Sequence, residues 1–133
     1  MIIVDTSVLI PFFRGDDTKP ARRMREIEEQ LVPFAIPALC CQELLQGARD
    51  LREWKLLSRY LETQELLTVH DPWQSHSAAA RIYFDCRRKG ITIGSAIDCL
   101  IAQLVLESDG ILLHDDVDFE RIKAVRPLQT LEI

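Results

Sequence analysis

Along the chain, short unbroken apolar runs alternate with longer stretches whose apolar residues recur every three or four positions. The runs at residues 1–4, 32–36, 66–69 and 110–113 are too short for buried helices and are bounded by polar or proline residues, which predicts strands. Between them the spacing predicts helices over 7–13, 21–31, 37–48, 50–64, 72–89, 95–106 and, briefly, 120–123, with a last extended piece at 127–131. Punctuation agrees with the pattern. Gly15 and Gly90 follow helix ends, and Thr18 precedes a helix with Pro20 near its start. Leu51, Trp54, Leu57, Tyr60 and Leu61 recur at three- and four-residue spacing along the fourth helix, and Trp54, Leu57 and Tyr60 are expected in the core, with a partner-binding groove as the alternative. Strands alternating with helices predict an α/β fold: a central, mostly parallel sheet flanked by helices, in one domain over 1–133.

Composition narrows the function classes only slightly. Net charge is −5, from 21 acids against 16 bases, which argues against binding nucleic acid through a general positive field. It leaves room for an enzyme that gathers acids to hold metal. No run approaches the ~18–20 apolar residues of a membrane span, and no basic region precedes the first apolar segment, so the expectation is a cytoplasmic protein with no membrane partner. Cys40, Cys41, Cys86 and Cys99 sit in apolar, helix-like stretches without C-x-x-C spacing and read as small core residues.

Chemistry enters with the acids. Asp5 stands just past the first strand, where open α/β sheets place their ligand sites, although an Asp before Thr6 and Ser7 is also a good helix cap. Glu43 has Leu39, Cys40 and Gly47 as helical neighbours, so its carboxylate borders apolar surface and calls for a cation; a half-exposed helix-edge glutamate is the alternative. Asp98 lies among Ile101, Ala102 and Val105, and competes with a reading in which Ser95 and Asp98 form a capping box. Asp115, Asp116 and Asp118 follow the fourth strand, and a capped turn explains one of them better than three. An oxygen-only set drawn from distant segments suits Mg²⁺ or Mn²⁺ and metal-assisted hydrolysis of a phosphodiester.

Four ordered segments carry a family resemblance: Val4-Asp5-Thr6-Ser7-Val8-Leu9-Ile10, Glu43-Leu44-Leu45-Gln46-Gly47, Ile97-Asp98-Cys99-Leu100-Ile101-Ala102, and the stretch from Leu112 through Asp116 and Asp118 to Ile122. Together they resemble PIN domains, most closely VapC-type toxins of bacterial toxin–antitoxin pairs, over essentially the whole chain. The resemblance implies an endoribonuclease cutting structured RNA with Mg²⁺ or Mn²⁺, with Asp5, Glu43, Asp98 and Asp116 as catalytic and metal-binding acids. It implies support from Thr6 and Asp118, a homodimer, and a VapB-type antitoxin partner.

Two further features bear on the substrate. The densest basic region runs from Arg14 through Lys19, Arg22 and Arg23 to Arg25, and Arg87-Arg88-Lys89 forms a second. Both read as solvated faces, with Arg14 as the single best candidate for an RNA phosphate contact because it leaves the helix that begins at Asp5. Of the three histidines only His114 adjoins the acids, where it reads as a supporting rather than a reacting group. The rival classes are a metal-dependent DNA nuclease and a non-catalytic metal- or phosphate-binding module. A receiver-like phosphoacceptor wants a paired acid after the first strand, which residues 1–5 do not offer.

Overall fold

In the computed structural model, which describes residues 1–133, four short strands form one fully parallel sheet. They are β1 (Ile2–Val4), β2 (Phe34–Pro37), β3 (Glu65–Leu67) and β4 (Ile111–Leu113). Seven helices connect and cover them: α1 (Thr6–Arg14), α2 (Lys19–Glu29), α3 (Ala38–Gln46), α4 (Leu51–Glu62), α5 (Pro72–Arg88), α6 (Ala96–Glu107) and α7 (Val117–Ile122). The strand order is β3-β2-β1-β4. From β1 the chain builds outward through β2 to β3, then crosses back to lay β4 on the other side of β1. The gap between β1 and β4 is therefore the topological switch point, where open parallel sheets bind ligands beyond the strands' carboxyl ends. Val4 is in register with Leu113, and the Asp5 amide donates to the Leu113 carbonyl at 3.0 Å. Asp5 and His114 thus leave the sheet side by side.

The α/β class is as the pattern predicts, with differences at element boundaries that have physical causes. Asp116, rather than a residue near 119, caps the last helix, so α7 starts at Val117 instead of Glu120. The fourth helix keeps only part of its expected core face. Leu61 is buried and Leu57 and Tyr60 are half-buried, with Tyr60 edge-on to Phe13 and donating to Glu28. Leu51 and Trp54 instead stand 66% and 42% exposed, because nothing packs over the border of α4 that carries them. The cysteine expectation holds: Cys40, Cys86 and Cys99 are buried and Cys41 half-buried, with burial pushing the Cys99 thiol up to about 11. No helix is long and apolar enough to cross a membrane.

Candidate active site

Five carboxylates from five separate elements meet at the switch point. Asp5 follows β1, Glu43 sits on α3, Asp98 occupies the first turn of α6, Asp116 follows β4, and Asp118 lies in the first turn of α7. The tightest grouping is Asp98, Asp116 and Asp118, each with a carboxylate oxygen within 4.8 Å of the others'. Burial, then the negative charges of Asp116, Asp5 and Asp118, push the Asp98 carboxyl up to about 7. Burial also raises Asp5, with Asp116 adding to it, and raises Glu43, with Asp5 adding to it. The sequence quartet is thus one electrostatic unit.

Asp5 does cap α1, and the cap is also a latch. Its Oδ2 accepts from the Ser7 amide at 3.0 Å and from the Ser7 hydroxyl at 2.6 Å. The same hydroxyl oxygen accepts from the Asp115 amide at 2.9 Å, tying the end of β1 to the end of β4. The Asp5 Oδ1 faces the Cys40 thiol, 3.9 Å away on α3. Thr6, the hydroxyl residue named by the resemblance, is buried; its backbone faces the Asp5 carboxylate, while its hydroxyl takes part in none of these bonds. Ser7 does the bracing. Ser95 caps α6 through the Ile97 amide at 3.2 Å, and no bond from the Asp98 carboxylate closes the box, so Asp98 is left facing the other acids.

Asp116 and Asp118 are held by a relay around β4 and α7. The Asp116 amide donates to His114 Nδ1 at 3.0 Å, which requires the ring proton on Nε2; that nitrogen meets Glu120 Oε1 at 3.0 Å. Both ring nitrogens of buried His114 are engaged, so it positions the loop carrying Asp116 instead of acting on water. Asp116 Oδ1 accepts from the Asp118 amide at 2.9 Å. Asp118 turns inward, 7% exposed, its Oδ1 taking Arg121 Nη1 at 3.0 Å and its Oδ2 the Gly94 amide at 2.9 Å. A Cβ on residue 94 would come within 3.2 Å of that oxygen, so glycine there permits the approach of the 91–95 loop to the acid.

A model of the PIN domain matches residues 2–125, nearly the full length of the chain. The chain belongs to the PIN-domain family. Along the same length this PIN domain is 34% identical over 130 residues to the VapC ribonuclease Mb1587 of Mycobacterium bovis, covering 97% of this chain and 96% of that protein. The same figures hold for ribonuclease VapC11 of Mycobacterium tuberculosis. The fold recurs at lower identity in solved structures. A chain of the DNA-bound VapBC from Salmonella typhimurium aligns with TM-score 0.75 and 18% identity over 98% of this chain and 96% of that one. A chain of VapBC-1 from nontypeable Haemophilus influenzae aligns with TM-score 0.70 and 22% identity over 99% and 98%.

The donor set of this PIN domain fits a hard cation on its own chemistry. It offers only oxygens, gathered in one small space, and carries more negative charge than its neighbours offset. Metal dependence is general in PIN-domain nucleases, and this acid cluster has the donors for it. Two further residues picked out from sequence take different positions relative to the acids. Asp118, expected beside the fourth acid as a support, lies in the tightest cluster with Asp98 and Asp116. Arg14 ends α1 exposed, with no ion pair to the acids and about 13 Å along the helix axis from Asp5. Sequence reading missed Ser7, Gly94 and Arg121. For Arg121 a signal existed: it stands three positions after Asp118, a helical ion-pair spacing, once the helix is started at Val117.

Proposed function

We propose that this PIN domain is the toxin of a toxin–antitoxin pair, an endoribonuclease that hydrolyses phosphodiester bonds in structured RNA with Mg²⁺ or Mn²⁺. One observation carries the reading: in a chain related along its length to VapC ribonucleases, Asp98, Asp116 and Asp118 converge within 4.8 Å beside Asp5 and Glu43. Asp98, Asp116 and Asp118 would hold the ion, with Asp5 behind them and Glu43 at the rim. When bound, a hard divalent ion positions and polarises water and offsets charge on the phosphoryl centre.

The chain's own residues do the rest. The Ser7 latch and the His114 relay fix the ends of β1 and β4, so the acids cannot spread to relieve their repulsion. With its carboxyl raised to about 7, Asp98 is partly protonated near neutral pH, and a cation held by the set would favour its ionised form. A VapB-type antitoxin partner is inferred because the structural relatives come from VapBC complexes, and the resemblance further implies a homodimer, which light scattering of the purified chain tests.

The deciding experiment incubates purified protein with RNA and with DNA, in Mg²⁺, Mn²⁺ or EDTA, alongside Asp98→Asn. RNA cleavage that needs the metal and the Asp98 carboxylate is the expected result, with growth arrest on expression that the same variant abolishes. Cleavage of DNA alone would move the assignment to a DNA nuclease. Absence of cleavage of either would leave a binding module.

A further inference from the structure

We infer that Arg121 is a substrate-positioning residue, a fixed cation at the mouth of the acid cluster that grips an RNA phosphate next to the bond being cut. The inference rests on the ribonuclease reading above and adds to it how a polyanion is brought to a pocket of acids. Among all ion pairs of the protein, Arg121 with Asp118 is the only one that joins a lysine or arginine to any of the five site acids. The Asp118 side chain is only 10% exposed, yet the Arg121 side chain is 50% exposed. The guanidinium therefore spans from the buried acid to solvent.

Its capacity is mostly unused. Of the five N–H donors of a guanidinium, the contact to Asp118 Oδ1 takes one, and no other protein acceptor meets the rest. Those donors form the rigid fork that matches two phosphate oxygens at once. The anchor is stiff as well. α7 begins at the Asp116 cap, and Asp118 is independently tied to the Gly94 amide, so the ion pair is not needed merely to satisfy Asp118. By contrast, Arg22 and Arg25 share Asp17 and Arg23 pairs with Glu26, so three of the five cations of the basic region that stands out in sequence already have acid partners.

The test uses the full-length protein and a total transfer-RNA preparation as probe. Initial rates are taken against RNA concentration at several KCl concentrations for wild type, Arg121→Ala and Arg121→Lys, and Mn²⁺ binding without RNA is followed by calorimetry. Expected for Arg121→Ala are a KM raised about tenfold, a kcat within about threefold of wild type, and a salt slope of log KM smaller by about 0.7–0.9, the signature of one lost phosphate contact. Mn²⁺ affinity should hold or tighten, and Arg121→Lys should keep the slope while recovering part of the KM. If KM and slope are unchanged in Arg121→Ala while Mn²⁺ affinity or Tm falls, Arg121 only braces Asp118 and the inference is overturned. If wild type cuts no RNA under any metal, the functional reading fails and this assignment goes with it.

Discussion

Like charges crowd at two places in this molecule, and they are handled in opposite ways. On α2, Arg22, Arg23 and Arg25 sit within four residues, but Asp17 and Glu26 lie within 3.0–3.7 Å of them and the pairs are open to water. At the switch point, five acids meet one half-exposed arginine, behind partial burial, and the carboxyls of Asp98, Asp5 and Glu43 are raised instead of neutralised. Surface charge that has no task cancels locally at little cost. A pocket that holds unbalanced charge against its own repulsion is built to be completed by something else, and perturbed carboxyls in such a pocket mark function.

The sharpest way to break the contrast is to remove one unbalanced charge. Asp98→Asn should lower RNA cleavage by about 10³-fold or more, since it removes both a metal donor and the group best placed to exchange a proton. It should also raise the Tm of the metal-free protein by roughly 3–6 °C, about 1 kcal/mol for a domain of this size. A Tm that falls by a similar amount, read by calorimetry in EDTA, would show that the acids are not frustrated.

pH offers a second lever, and its sign is determined. The folded carboxyls of Asp98, Asp5 and Glu43 are raised above their unfolded values, so the folded chain binds protons more tightly than the unfolded chain. Stability from this source is fully present below about pH 4 and is lost as pH rises through about 7, the folded value for Asp98. Metal-free protein should therefore melt at higher temperature at pH 5.5 than at pH 7.5. Saturating Mg²⁺ should invert the trend, because protons and metal compete for the same oxygens. Melting curves across pH, with and without EDTA, read both limbs.

Smaller effects separate the two hydroxyls after Asp5. Ser7→Ala should weaken Mn²⁺ affinity or activity about 10- to 100-fold by releasing the latch between β1 and β4, whereas Thr6→Val should change either by less than about threefold. Equal losses in the two would return the supporting role to Thr6. Smallest of all, Arg22→Ala should alter stability by no more than about 0.5 kcal/mol and leave cleavage unchanged.

What could be read from sequence follows the range of the interactions. Asp5 and Asp116 were legible because a strand-to-helix boundary is local, and apolar helical neighbours exposed Glu43 and Asp98. The rest depended on contacts that no local pattern records. Asp118 is turned inward by Gly94, 24 residues away, and Ser7 reaches an amide 108 residues along the chain. Arg14 drew attention by its sequence neighbourhood, yet α1 carries it away from the acids. The expected core face of α4 failed at Trp54 for the same reason: periodicity reports that a helix has an apolar side, but not how wide a neighbour will cover it.

The placement of β4 against β1 has a consequence for how the protein is made. Of the four strands β1 is synthesised before the others and β4 after them, and the half-sites they carry, Asp5 on one side and Asp116 with Asp118 on the other, meet only when β4 docks. A nascent chain that has emerged from the ribosome through α6 already contains Asp5, Glu43 and Asp98, but it has neither the strand nor the two acids that close the pocket. The acid pocket thus closes late and all at once, at the step that zips the open edge of β1.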